Sequence, residues 1–205
     1  MNREFILASN NKGKLKEFKE KLAEFGINVI PQSEAGVNIK AEETGTTFEE
    51  NAILKAKAVY DLLHKPVISD DSGLEIDFLE GKPGVYSSRF LGENTPYDEK
   101  CKQVVKLLEN AEDEKRTARF RCSICFIDEN GQVHIFSDKC EGKIAYTPKG
   151  ENGFGYDPIF EYNGTTFAQM SQEQKNEISH RGKAVRKFLE YIRSNRKWAK
   201  VLRWL

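Results

Sequence analysis

Residues 116–144, RTARFRCSICFIDENGQVHIFSDKCEGKI, decide the fold class. Arg116–Asp128 and Gln132–Ile144 read as two long strands about Asn130-Gly131, a dipeptide that favours the positive φ angles of a tight hairpin turn. Upstream of this hairpin, strand and helix patterns alternate. Glu4–Ala8 is a short apolar run, and Lys12–Phe25 places Leu15, Phe18, Leu22 and Phe25 at helical spacing. Asn28–Pro31 is a second short strand, followed by a polar loop from Gln32 to Gly45. Thr47 with Glu50 forms a capping box that opens a helix to about His64. Val67–Ser69 reads as a buried strand ending in Asp70-Asp71-Ser72-Gly73, and Leu74–Phe78 as another, with a turn at Pro83-Gly84. Thr95-Pro96 opens a helix to about Asn110. Downstream of the hairpin, a loop with Gly150, Gly153 and Gly155 leads to Ile159-Phe160, and the chain closes on a helix over Ser179–Arg193. The expectation is an α/β protein with a mixed sheet and helices on its faces.

Composition narrows the function classes. The chain has 205 residues, 39% of them hydrophobic, which suffices for one large domain. Its 32 basic and 32 acidic side chains cancel, which argues against a general nucleic-acid binder but leaves room for a local nucleotide site. No run approaches the ~18 apolar residues of a membrane span, and Met1–Glu4 leads straight into a strand without a signal-peptide pattern. A cytoplasmic protein is expected. Four cysteines fit that compartment: Cys122 and Cys125 lie three apart in a strand, where side chains diverge, and no zinc-ligand spacing is present. Buried, reduced thiols are the expectation. Residues 194–205 form a basic extension with Trp198, Val201, Leu202 and Leu205 at helical spacing, suited to packing on the protein's own body or on its twin.

Five stretches put unusual polar residues where strands end and helices begin, the usual location of ligands in α/β proteins. Ser9-Asn10-Asn11-Lys12-Gly13-Lys14 supplies hydroxyl, amide and ammonium groups at a helix start, suited to phosphate oxygens or to a simple capped turn. Lys55 sits within the apolar stripe Phe48, Ala52, Ala56, Val59 and Leu63, with Asn51 one turn earlier. A lysine there either snorkels or reaches a phosphate. Asp70 and Asp71 repel each other unless a cation or donors compensate, and Mg²⁺ would do so, with Glu43 as a second carboxylate. In Gly150–Pro158, Phe154 and Tyr156 offer faces for stacking a base, and Asp157 offers acceptors to ring N–H groups. Finally, Arg181 lies seven residues, about two helical turns, before Phe188. It therefore leads the stripe Ala184, Val185, Phe188 and Ile192, with His180 beside it and Ser179 before them. A guanidinium on an inward face needs an acceptor.

Together these are the parts for a nucleoside triphosphate, and in order along the chain they resemble the inosine triphosphate pyrophosphatase family. The matching blocks are Ser9–Lys14, Glu43–Ala52 with Lys55-Ala56, Asp70–Leu74, Pro83–Phe90, Phe154–Pro158 and Ser179–Arg181. The resemblance implies a single domain over residues 1–205 with two lobes around a deep cleft, a homodimer, and Mg²⁺ held by Glu43 and Asp71. It implies hydrolysis of ITP, dITP and XTP to monophosphate and pyrophosphate, with Asp71 and Lys55 catalytic. It implies substrate binding by Ser9, Asn10, Asn11, Lys12, Gly13, Lys14, Lys55, Ser72, Phe154, Gly155, Tyr156, Asp157, Lys175, His180 and Arg181. One departure is Ser9-Asn10-Asn11, where the family often has Thr-Gly-Asn; asparagine tolerates the left-handed backbone that a glycine there would permit. The competing readings are a Maf-like nucleotide pyrophosphatase, which the His180-Arg181 helix argues against, and a nucleotide sensor, which would not need Glu43, Asp70 and Asp71 together.

Overall fold

The computed structural model describes residues 3–195. In chain order the elements are β1 (Arg3–Leu7), α1 (Lys12–Ala23), β2 (Ile27–Pro31), α2 (Phe48–Leu63), β3 (Val67–Ile76), α3 (Tyr97–Leu107), β4 (Thr117–Ile127), β5 (Val133–Ile144), β6 (Phe160–Tyr162), β7 (Thr165–Thr166), α4 (Gln172–Ile178) and α5 (His180–Ser194). Seven strands form one sheet in the order β2-β1-β3-β4-β5-β6-β7. β1 pairs in parallel with β2 and β3, whereas β5, β6 and β7 pair antiparallel, so the sheet is mixed as expected. The hairpin turn falls where Asn130-Gly131 predicts it: Gly131 has φ +79°, and its N–H donates to Asp128 O at 3.0 Å.

Internal contacts divide the chain into two compact units. The first holds the residues up to Asp71, Ser123–Ser137 and those from Ala184 on; the second holds Ser72–Cys122 and Asp138–Lys183. Each has its own apolar core. In the first, Ile6, Ala52, Ala56, Val59, Val67, Cys125 and Ile127 are buried together. The stripe Ala184, Val185, Phe188 and Ile192 is buried as its spacing predicts, and Phe188 packs against Phe126 at 5.3 Å between ring centroids. In the second, Leu74, Ile76, Val104, Leu108, Phe120, Ile144, Phe160 and Phe167 form the core.

Three local readings need correction. Val67–Ile76 is one continuous strand, so Asp70, Asp71 and Ser72 lie within it and not in a turn after it. Their turn-like composition is overridden by pairing in the sheet. Thr95 does not cap α3; its hydroxyl donates to Leu91 O at 2.6 Å, and Pro96 is the residue that flanks the helix. The seven-residue α4 was not anticipated, although Ser171 and Gln174 make a capping box at its start. The stretch of Trp198, Val201, Leu202 and Leu205 lies outside the described residues. All four cysteines are free and buried, and burial pushes the Cys101 and Cys125 thiols up to about 12, which keeps them protonated and unreactive at neutral pH.

One buried cation organises the second unit. Arg116 is 1% exposed and donates to Leu108 O, Ile144 O and Ala145 O at 2.7, 2.8 and 3.0 Å. It thereby ties the end of α3 to the end of β5, with its guanidinium 4.1 Å from the centre of the Tyr146 ring. Replacing it removes three hydrogen bonds from a charged donor, each worth ~1.5–3 kcal/mol, although Leu108 O keeps one from Ala111 N at 3.0 Å. Arg116→Met is expected to lower the unfolding free energy by about 3 kcal/mol or more, read from urea denaturation. Arg116→Lys should rescue little of this, because an ammonium cannot span the three acceptors.

Candidate active site

In the first unit, the parallel register between β1 and β3 assembles a cluster of charges. Leu7 pairs with Ile68, and Ala8 N–H donates to Ile68 O at 2.8 Å, so the loop after β1 runs beside Asp70. β1 lies between β2 and β3, which makes this a point where the strand order reverses, the favoured ligand position in such sheets. Lys14, in the first turn of α1, sits 2.9 Å from Asp70 Oδ1. Lys55, on α2, donates to Asp71 Oδ1 at 2.6 Å and to Glu43 Oε1 at 2.9 Å. Adjacent residues of a strand point to opposite faces, so each aspartate receives its own lysine. That answers the repulsion expected between them. Glu42, by contrast, is exposed.

The electrostatics are those of a buried ion cluster. Burial opposes the Lys55 ammonium, but Asp71, Asp70 and Glu43 outweigh it and hold the pKa above the ordinary value. Burial pushes the Asp71 carboxyl up, with Lys55 pulling the other way and Glu43 adding to the rise. Asp71 Oδ2 is buried and accepts no hydrogen bond. A carboxylate oxygen in that condition fits a hard cation. Among the described residues no group of three His, Cys, Asp or Glu side chains could hold a metal alone. Glu43 and Asp71 are two carboxylates, and a hard divalent ion such as Mg²⁺ typically takes one or two and completes its shell with phosphate oxygens and water.

The loop over Ser9–Lys14 is a capped turn. Asn11 Oδ1 accepts from Gly13 N and Lys14 N at 2.9 and 3.1 Å, and Ser9 Oγ accepts from Asn11 N at 3.1 Å. Asn10, Asn11, Lys12 and Gly13 are exposed, and Asn10 is not among the residues with positive φ. The loop carrying Glu43 is fastened by a residue that sequence reasoning placed near the site without giving it a role. Asn51 is fully buried, and its Oδ1 accepts from Gly45 N at 2.8 Å. A β-carbon on Gly45 would come within 2.7 Å of that oxygen, so glycine is required for this close approach. The available signal was an amide within an otherwise apolar helical stripe.

In the second unit, the loop over 150–158 folds around one carboxylate. Asp157 Oδ2 accepts from Phe154 N at 2.7 Å and from Lys175 Nζ at 2.5 Å, and Asp157 is 2% exposed. A side chain on Gly153, which has φ +77°, would collide with that oxygen. The expected role of Asp157 toward ring N–H groups is therefore at most half available: Oδ2 is engaged within the protein. Phe154 is half exposed, with Lys175 Nζ 4.7 Å and Arg181 Cζ 5.4 Å from its ring centre. Tyr156 is not a stacking face. It is buried, its hydroxyl donates to Ser87 O at 2.9 Å, and its ring packs edge-on against Tyr97. Gly155 accepts a contact from the Cys101 thiol at its carbonyl.

The start of α5 is built as its sequence suggests. Ser179 Oγ accepts from Gly182 N at 3.1 Å. Arg181 is 5% exposed and donates to Ser72 Oγ at 3.0 Å, while His180 lies flat on Phe120 with centroids 4.7 Å apart. Gly182, which sequence reasoning passed over, lets α5 start against α4; a β-carbon there would strike Asn176 O. A cavity of ≈ 360 Å³ opens beside Lys175, lined by Asn152, Gly153, Phe167, Met170, Ser171 and Gln172. The described helices include none long and apolar enough to cross a membrane.

Comparison with known proteins sets this geometry in context. The model of the Ham1 family matches residues 5–191. A dITP/XTP pyrophosphatase of Desulforamulus reducens is 46% identical over 190 residues, covering 91% of this chain and 94% of that protein. One from Bacillus subtilis is 45% identical over 192 residues, covering 93% and 97%. Among solved structures, the Ham1 protein of Staphylococcus aureus superposes with a TM-score of 0.87 at 41% identity, covering 95% of this chain and all of that one.

Proposed function

The chain belongs to the Ham1 family, and from that premise we propose that it hydrolyses non-standard purine nucleoside triphosphates, dITP, ITP and XTP, to the monophosphate and pyrophosphate. The observation that carries the proposal is the Glu43–Lys55–Asp71 cluster, a set of groups for a cation-bound polyphosphate. The names of its relatives, dITP/XTP pyrophosphatases, supply the substrate class. The same reading gives a homodimer acting on the cytoplasmic nucleotide pool.

Glu43 and Asp71 would hold Mg²⁺, which when bound neutralises phosphate charge. Asp71, whose carboxyl burial pushes up, orients a water toward the α-phosphorus and takes its proton. A bond forms from the water oxygen to the α-phosphorus as the bond to the bridging oxygen breaks, and pyrophosphate departs. Lys14 and Lys55 meet the charge that gathers on the leaving group. The loop of Ser9, Asn10, Asn11, Lys12 and Gly13, with Ser72, contacts phosphate oxygens. In the second unit, Phe154 offers a half-exposed face to the purine. Lys175, His180 and Arg181 present donors to a 6-oxo group. Adenine carries an amino group at that position, which would leave such donors facing a donor.

Three results are expected. First, with Mg²⁺ present, turnover of ITP, dITP and XTP releases pyrophosphate and exceeds that of ATP, and Asp71→Asn lowers kcat by ~10²–10⁴ with an unchanged circular dichroism spectrum. Release of orthophosphate would refute the proposal. Second, Arg181→Met reduces the ratio of kcat/KM for ITP over ATP by about 10- to 100-fold, the worth of a hydrogen bond from a charged donor. An unchanged ratio removes Arg181 from base selection. Third, sedimentation equilibrium gives twice the 23.5 kDa chain mass; a monomer at micromolar concentration would remove the dimer from this reading.

A further inference from the structure

Lys55 does more than lie near the Glu43–Asp71 pair. Its ammonium contacts Glu43 Oε1 at 2.9 Å and Asp71 Oδ1 at 2.6 Å, and all three side chains are at most 20% exposed. Lys14 is engaged elsewhere, on Asp70. The two carboxylates that would hold a divalent ion therefore already share a cation, and an incoming ion must compete with it for the same pair. It must also approach a positive charge at close range in a poorly hydrated site, where such repulsion is only weakly screened.

We propose that Lys55 is the resident counter-ion of Glu43 and Asp71, and that it restricts metal binding to the substrate complex. The divalent ion enters already bound to the triphosphate. Phosphate oxygens then receive the ammonium as the carboxylates receive the metal, so neither charge is left uncompensated. A lysine suits this exchange because its compact ammonium, on a flexible four-carbon stem, can transfer between acceptors without a fixed fork geometry. Asp71 Oδ2, buried and without a hydrogen bond, is the oxygen at which the exchange can start. This inference rests on the reading of Glu43 and Asp71 as metal ligands, and it adds an order of events to that reading.

The test is binding of Mn²⁺, followed by electron paramagnetic resonance, without turnover. Wild-type protein should bind Mn²⁺ at least tenfold more weakly alone than with a non-hydrolysable α,β-methylene analogue of a purine triphosphate. Lys55→Met should bind Mn²⁺ alone at least tenfold more tightly than wild type, whereas Lys55→Arg, which keeps the charge, should resemble wild type. Tight binding by the wild type without the analogue overturns the proposal and leaves the proposed function standing. Equal affinities of wild type and Lys55→Met, strong or undetectable, also overturn it. Absence of Mn²⁺ binding even with the analogue overturns this inference and the assignment of the metal ligands together. The wild-type comparison needs no variant, so a Lys55→Met protein that failed to fold would still leave a decisive result.

Discussion

The parallel pairing of β1 with β3 is the constraint on which the buried charge cluster depends. Ile6 opposite Val67 and Leu7 opposite Ile68 fix where each strand ends relative to the other. A slip of one residue would turn Asp70 and Asp71 to the opposite faces and separate both from their lysines. The register is itself held by burial. Ile6, Leu7, Val67 and Ile68 are all fully buried, on both faces of the strands, so a slip would force each into close packing shaped for another side chain. Hydrophobic packing thus determines the position of a charged cluster that could not hold itself together. Buried ion pairs repay their desolvation only when their geometry is fixed by something else.

A second layer of restraint acts on the loops. Glu43 belongs to no helix or strand, yet it reaches Lys55 because the residues after it are fastened to the start of α2. Glu50 Oε2 accepts from Thr46 N and Thr47 N at 2.6 and 3.2 Å, and Asn51 holds Gly45. The capping box that starts the helix is therefore also the anchor of a site residue. In the second unit the same economy recurs with one carboxylate. Asp157 holds both the Phe154 backbone and the Lys175 ammonium, and the left-handed Gly153 makes room for it.

These two cases explain what sequence could and could not reveal. The capping box at Thr47, the buried stripe of α5 and the hairpin at Asn130-Gly131 are local patterns, set by residues a few positions apart, and they were legible. Asp70-Asp71-Ser72 has the composition of a turn, and what makes it strand is its place in the sheet between β1 and β4; its side chains then find partners 16 to 109 residues away, Lys55 for Asp71 and Arg181 for Ser72. Tyr156 was misread for the same reason, since the carbonyl that receives its buried hydroxyl lies 69 residues distant. α4 escaped notice because its seven residues carry no apolar periodicity, yet its Ser171–Gln174 capping box is a local signal that could have found it. The chemical character of each candidate site residue was readable; the question of which donors were already spent was not.

That last distinction bears on how substrate selection and catalysis are divided. Asp71 and Ser72 are consecutive in β3, yet their side chains have different affiliations, Asp71 with Lys55 and Ser72 with Arg181. Each partner is a cation: the lysine lies between two carboxylates, whereas the arginine donates to the hydroxyl and lies over the Phe154 ring. An ammonium shared by two carboxylates has little to spare until something displaces them. On the exchange proposed above, Lys55 becomes available to a polyanion only when another cation takes its place at the two carboxylates, because a buried carboxylate left without a partner is strongly destabilising.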